Sequence, residues 1–263
     1  MFARPIPMRA VFIILGAIAL VACGANDKRG MRQPKPSAAP TAPDAPAEPE
    51  AEPNAPPVLG SQSPAPADKQ RSVEVTNKRV QAGKALYATC VGCHGDNAVG
   101  RIGIGPRISS ETYMAAASDA FLMDTIAKGR AGTTMPAWGT SLSDDQIASL
   151  VAYLRSLHPS EPAKLDHTPA QGNVANGRAV FRDICSGCHG RHGAGYQETA
   201  NGTGIGRKAF LDTAPDGFIR YIVKHGKTLT QMKGFDEKDR TAVANLSDKQ
   251  VNDTIAYLRA NAW

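Results

Sequence analysis

The sequence predicts a helical protein built from two tandem copies of one domain. Three observations carry that reading. Cys90-Val91-Gly92-Cys93-His94 recurs as Cys185-Ser186-Gly187-Cys188-His189. The flanking residues recur in register: Val80, Gly83 and Tyr87 return as Val174, Gly177 and Phe181, and Leu142-Ser143-Asp144-Asp145-Gln146 returns as Leu246-Ser247-Asp248-Lys249-Gln250. Self-similarity this long marks a duplicated unit. Between these landmarks apolar residues return every three or four positions, which is the helical period.

The chain begins with an export signal over residues 1–23. Arg4 and Arg9 precede a short apolar run, Val11–Ala22. About 12 residues is too few for a membrane-spanning helix, which needs roughly 20. The run ends in Leu20-Val21-Ala22-Cys23, which resembles the lipobox of bacterial lipoproteins. That resemblance implies a lipidated Cys23 and a protein held on the periplasmic side of a bacterial membrane. Several acyl chains on one terminus give stable anchoring, at about 0.8 kcal/mol per buried methylene. Residues 24–74 alternate Pro with Ala, Glu and Ser. Such a composition buries too little apolar surface to offset its ordering entropy, so a disordered tether biased to polyproline II is expected.

The first domain is expected over 75–158. Thr76 or Asn77 caps a helix over 78–89; Val80, Lys84, Tyr87 and Val91 recur at three- to four-residue intervals, with Gly83 on a neighbouring row. After the first cysteine motif, 95–110 reads as loop, with Gly100, Gly103, Gly105 and Pro106. A second helix starts at Ser118 or Asp119 and stops at Gly129. Thr133–Trp138 is a turn. Ser143 and Gln146 make a capping box ahead of a helix carrying Ile147, Leu150, Val151 and Leu154 on one face. Residues 159–172, with Pro159, Pro162 and Pro169, read as a linker. The second domain, 173–263, repeats the order: Asp216-Gly-Phe-Ile for Asp119-Ala-Phe-Leu, Gly226 for Gly129, Met232 for Met135, and Ile255–Arg259 for Val151–Arg155.

The motif itself carries the chemistry. A C-x-x-C pair alone suits a redox dithiol or half of a zinc site. An immediately following His, present twice, points instead to attachment of a c-type haem, with Cys90, Cys93, Cys185 and Cys188 as thioether carriers. His94 and His189 then lie where an imidazole takes one axial position on the iron. Of five cysteines, four sit in these motifs and the fifth is Cys23. None is left for a structural disulfide.

Together these features resemble the class I, mitochondrial-type cytochrome c domain over 75–158 and 173–263. The resemblance implies an all-α fold, each domain wrapped around one haem. It implies that the helices carrying Gly83 and Tyr153, and Gly177 and Tyr257, cross closely. It makes Met135, in Met-Pro-Ala-Trp, and Met232 the second axial ligands. Met114 and Met123 read as core, and His192 and His225 as surface residues. Pro106 resembles the proline that backs the proximal His. The second domain has Gly204-Ile205-Gly206-Arg207 in that place, so the role is open there. Arg107 and Arg207 are candidates to neutralise haem propionates, and Trp138 and Phe235 to pack at the haem edge. Met232 lacks the following Pro and precedes a charged insertion, which makes its turn the less regular of the two.

The resemblance further implies an electron carrier rather than an enzyme. The expected partners are a quinol-oxidising or dehydrogenase complex on one side and a terminal oxidase or reductase on the other. The alternatives are a dihaem enzyme, peroxidase-like or thiosulfate-oxidising, with a labile axial site in the second domain, or a subunit of a larger respiratory complex. Net charge is +6. Residues 81–160 hold 6 basic and 6 acidic side chains, and 161–263 hold 14 and 11. No basic run with interleaved aromatics points to nucleic acid.

Overall fold

The computed structural model describes residues 58–59, 70–238, 240, 242 and 244–263. The expected signal segment, Cys23 and most of the tether lie outside the described residues. The first repeat contains α1 (Asn77–Tyr87), α2 (Val91–His94), α3 (Glu111–Ala116), α4 (Asp119–Lys128) and α5 (Asp144–Leu157). The second contains α6 (Val174–Val180), α7 (Ser186–His189), α8 (Lys208–Leu211), α9 (Asp216–His225) and α10 (Asp248–Ala260). A π-helical turn, Phe181–Cys185, joins α6 to α7. Among the described residues the only sheet is a two-residue antiparallel pair, β1 (Val58–Leu59) with β2 (Gln171–Gly172). The fold is all-α, as expected.

The caps explain the boundaries. The Thr76 hydroxyl accepts from Arg79 N at 3.3 Å, and Ser118 Oγ accepts from Phe121 N at 3.0 Å. Ser143 with Gln146, and Ser247 with Gln250, form reciprocal capping boxes, each satisfying two otherwise orphaned N–H groups. Gly129 and Gly226 end α4 and α9 at φ of 64° and 69°, a conformation that costs glycine nothing. α3 and α8 fall where the sequence shows no period, because six and four residues are too few to display one.

Each domain closes where its first and last helices cross. A Cβ on Gly83 would strike the Ser149 carbonyl and lie 2.8 Å from Tyr153 Cβ; one on Gly177 would strike the Asp253 carbonyl and lie 2.8 Å from Tyr257 Cβ. Only glycine permits that approach. Beside each crossing an aromatic pair fills the space, Tyr87 with Tyr153 at 5.2 Å and Phe181 with Tyr257 at 5.4 Å. A buried ion pair locks each final helix to the start of α4 or α9: Asp119 with Arg155, and Asp216 with Arg259, both at 2.7 Å. Arg155 also donates to the carbonyls of Met114 and Ala117, and Arg259 to those of Leu211 and Ala214. The duplication therefore extends to the hydrogen-bond network.

The second oxygen of Asp119 accepts from Ser72 N and Val73 N at 2.7 and 2.8 Å, and Arg71 donates to Met114 O and Ala117 O. Fixed structure thus reaches back to Gln70, ahead of the expected boundary at residue 75. The linker is likewise held. Ala163 N donates to Ala115 O at 2.9 Å, Ala170 N donates to Asp216 Oδ2 at 2.8 Å, and Arg220 donates to the carbonyls of Asp166 and Thr168.

The two repeats pack face to face about an approximate two-fold axis. Phe121 and its equivalent Phe218 meet at 4.8 Å. Arg130 of the first repeat lies over Phe210 of the second at 5.8 Å, and its counterpart Lys227 lies over Tyr113 of the first at 4.5 Å. This reciprocity is that of an isologous dimer interface, here within one chain. Thr228 completes it, with its N–H donating to Thr112 Oγ1 at 3.0 Å and its hydroxyl 3.1 Å from Ser110 Oγ.

Candidate functional site

The cysteine motifs sit on α2 and α7, single helical turns capped by the first Cys and ending at the His. None of the four cysteines forms a disulfide; Cys188 is exposed and the others half-buried. Burial raises the Cys90 thiol and pushes Cys185 up to about 12, with the neighbouring Cys188 adding to it. A reactive dithiol needs the opposite shift, toward thiolate. Among the described residues no three His, Cys, Asp or Glu side chains converge as a metal cluster.

The two imidazoles are held alike. His94 Nδ1 lies 3.1 Å from Pro106 O, and His189 Nδ1 lies 2.8 Å from Thr203 O. A carbonyl only accepts, so Nδ1 carries the proton in each ring and Nε2 keeps its lone pair for a metal. Burial pushes both imidazoles below their ordinary pKa, against the backbone carbonyl and with help from the charge of Lys227. Each ring is thereby kept neutral, the form that ligates. The proline role left open by the sequence is filled in the second domain by the carbonyl of Thr203. Glycine makes that possible, since a Cβ at Gly202 would sit 3.0 Å from His189 Nδ1.

The methionines lie on matching turns. Met135 N donates to Thr133 Oγ1 at 3.1 Å, and Met232 N donates to Thr230 Oγ1 at 3.1 Å. Met135 O accepts from Arg130 N at 3.0 Å, and Met232 O accepts from Lys227 N at 2.8 Å. Trp138 N donates to Ile126 O, and Phe235 N to Val223 O, at 3.1 and 3.0 Å. Both methionines are half-buried. The turn at Met232 is thus as regular as that at Met135, contrary to the expectation from its missing Pro. The insertion emerges downstream, where Asp236 bridges Leu246 and the Asn245 amide donates to the carbonyls of Asp236 and Glu237.

The competing side chains have other occupations. Met114 is fully buried in the core. His192 pairs with Glu198 at 2.7 Å, and the ring of His225 packs on Tyr221 at 4.3 Å. Arg107 donates to Ser109 O at 3.2 Å. Arg207 is buried, lies 4.0 Å over the Trp263 ring and donates to Gln197, while its Nε has no partner within the protein. A buried guanidinium N–H without an acceptor suits a site that receives a carboxylate-bearing group. The role of Trp263 had no sequence signal: its indole N–H donates to His192 O at 2.9 Å, bringing the chain end back to the second cysteine-motif loop.

Comparison with known proteins bears on the family. Residues 78–154 match a family described as cytochrome c oxidase, cbb3-type, subunit III, and residues 174–262 match the family cytochrome c. A cbb3-type cytochrome c oxidase subunit FixP of Bradyrhizobium sp. (strain ORS 278) is 40% identical over 78 residues, covering 29% of this chain and 27% of that protein. The FixP subunit of Azorhizobium caulinodans is 30% identical over 139 residues, covering 50% of this chain and 45% of that protein. This chain thus spans less than half the length of these relatives. The crystal structure of cytochrome cL from Methylophaga aminisulfidivorans is 31% identical, covering 35% of this chain and 61% of that one, with a TM-score of 0.30. With one match over each repeat, the chain belongs to the cytochrome c family as a tandem of two class I domains that carry covalently bound c-type haems.

Proposed function

We propose that this chain is a dihaem electron carrier. Cys90 and Cys93 attach one haem and Cys185 and Cys188 the other, while His94 with Met135 and His189 with Met232 provide the axial ligands. The observation that carries this reading is the paired arrangement of donors. Two neutral imidazoles are tied at Nδ1 to backbone carbonyls, and two methionines sit on turns with the same hydrogen bonds. A c-type haem held by these His and Met residues would supply one-electron chemistry at its iron. The protein's part is to hold the imidazole tautomer, keep the Met turns rigid through Thr133 and Thr230, and supply Arg207 to a carboxylate. With a His and a Met both committed to each iron, the proposed ligation would favour transfer over turnover.

The test is an optical redox titration of the full chain. Two haems per chain are expected, each low-spin in the ferric state and each with the long-wavelength Met–iron band. Met135→Ala and Met232→Ala should each remove half of that band. A high-spin ferric haem in the unsubstituted protein would refute the assignment for its domain.

The names of the relatives favour one further feature, service to a terminal oxidase. In this reading Cys23 is lipidated, the Pro-rich segment tethers the domains to a membrane, and electrons pass from a quinol-oxidising or dehydrogenase complex to the oxidase. Among the described residues no helix is long and apolar enough to cross a membrane. Co-purification from native membranes distinguishes a subunit of the oxidase, which stays with it through detergent extraction, from a carrier that does not. Cys23→Ser should release a lipid-anchored chain into the soluble fraction.

A further inference from the structure

Lys227 belongs to the frame of both candidate iron sites. Its backbone N–H donates to Met232 O at 2.8 Å within the second domain. Its side chain crosses the interface, and Nζ donates to Arg107 O at 2.9 Å. Arg107 follows Pro106, whose carbonyl takes the Nδ1 proton of His94. An unbroken run of covalent and hydrogen bonds therefore leads from His94 through Lys227 to Met232. The side-chain amine is held in place: it lies 4.5 Å from the Tyr113 ring, and the next residue, Thr228, is bonded to Ser110 and Thr112 of the first domain; burial, with the charge of Arg107, pushes it down to about 8, so it stays mostly protonated at pH 7.

The equivalent residue in the first repeat does something different. The Arg130 backbone holds Met135 O, but its guanidinium is shared among Ala209 O, Thr125 Oγ1 and the rings of Phe121 and Phe210. Ala209 is not adjacent to Thr203, which holds His189, as Arg107 is to Pro106.

We propose that Lys227 is a positioning residue shared by both haem sites: one fixed positive charge that favours the reduced state at each and ties the distal turn of the second domain to the proximal frame of the first. The inference rests on the axial ligation proposed above. Reduction adds negative charge to a site, and a cation held at a partly buried interface is screened less than one in solvent, so its removal favours the oxidised state.

Lys227→Gln in the full dihaem chain removes the charge and keeps a donor. Lys227→Met, which keeps the aliphatic stem on Tyr113, is read in the same way should the first variant fold poorly. Lys227→Arg restores the charge. Arg130→Gln perturbs the same interface from the other side. In redox titrations the Gln or Met variant should lower both midpoints, the equilibrium constant for reduction falling roughly three- to tenfold at each haem. Lys227→Arg should return both. The inference is overturned if only one midpoint moves, if neither does, or if Arg130→Gln lowers both as far. Absence of the Met–iron band in the unsubstituted protein would overturn the ligation and the inference with it; an intact band with unmoved midpoints would overturn the inference alone.

Discussion

Gly83→Ala tests the helix crossing on which the first domain depends, because local and tertiary effects there have opposite signs. In an isolated helix the change stabilises by about 1 kcal/mol. In the fold the new methyl would meet the Ser149 carbonyl, lying 2.5 Å from its carbon and 2.8 Å from Tyr153 Cβ. Ordinary contact begins near 3.4 Å, so α1 and α5 must part by roughly 1 Å, given how densely helices pack. The obstructing atoms are mostly backbone and cannot rotate aside. The separation also strains the Tyr87–Tyr153 contact and the bond from Tyr87 Oη to Gly95 O at 2.9 Å, which abuts the cysteine motif. Overpacking of this kind costs about 3 kcal/mol at the upper end of its range. The net loss is then about 2 kcal/mol. Ala82→Gly, on the exposed face of the same helix, should lose only about 1 kcal/mol. Urea unfolding of the haem-loaded chain, followed by far-ultraviolet circular dichroism, ranks the two variants. Propensity alone puts Gly83→Ala above the unsubstituted protein and Ala82→Gly below it. A Gly83→Ala protein as stable as its parent would refute the crossing geometry.

Three further expectations follow from the packing. Arg155→Leu leaves Asp119 charged and buried without its partner, with a loss of about 3–5 kcal/mol in thermal or urea unfolding, whereas Arg79→Leu at the exposed pair with Asp145 should lose under about 1 kcal/mol; similar losses would count against the buried lock. Phe218→Ala empties the centre of the interface, at about 3–4 kcal/mol, and calorimetry should then resolve separate transitions for the two domains; one unsplit transition would show that the ring is not what couples them. Glu198 is raised by burial but lowered more by His192 and by the N–H groups of His192 and Ala194, so its folded pKa lies below its unfolded one. Its contribution is present above the unfolded pKa and is lost as pH falls through the folded one. Glu198 is exposed, so solvent screens it and Glu198→Gln should be under about 1 kcal/mol less stable at pH 7, with the gap closing as pH falls through the folded pKa; a gap that persists at low pH would refute the carboxylate's role.

The duplication, the helices of both domains that carry a clear period, their caps and the glycine crossings were legible because each depends on residues close in sequence or on a repeated pattern. Ser143 with Gln146 announces a helix start by itself. α3 and α8 were not legible, because a turn or two of helix shows no period and their ends are set by tertiary bonds such as that from Arg155 to Met114 O. The ion pairs lay hidden although Asp119, Arg155, Asp216 and Arg259 all stood in the alignment of the two repeats; the recurrence of the same Asp and the same Arg on separate helices was the available signal. The carbonyl of Thr203 could not be read, since any residue supplies one. The irregularity expected at Met232 did not appear because the turn is made by Thr230 and backbone groups, and the Pro that follows Met135 takes no part in those bonds.

The interface explains how two near-identical ligand turns can still form unequal sites. An isologous contact would place one residue type on both sides of the axis, but this chain has Arg130 on one and Lys227 on the other. Arginine spreads its charge over a planar fork and spends it on several neighbours, here two rings, a hydroxyl and a carbonyl. Lysine is a point charge on a flexible stem, here directed to a single carbonyl beside the frame of His94. Two copies that agree at Cys, His, Met and Thr can therefore feel different fields. Because Lys227 is shared, a difference in potential between the haems should be sought at Arg130 and in the proximal loops ending at Pro106 and Thr203, before the methionine turns.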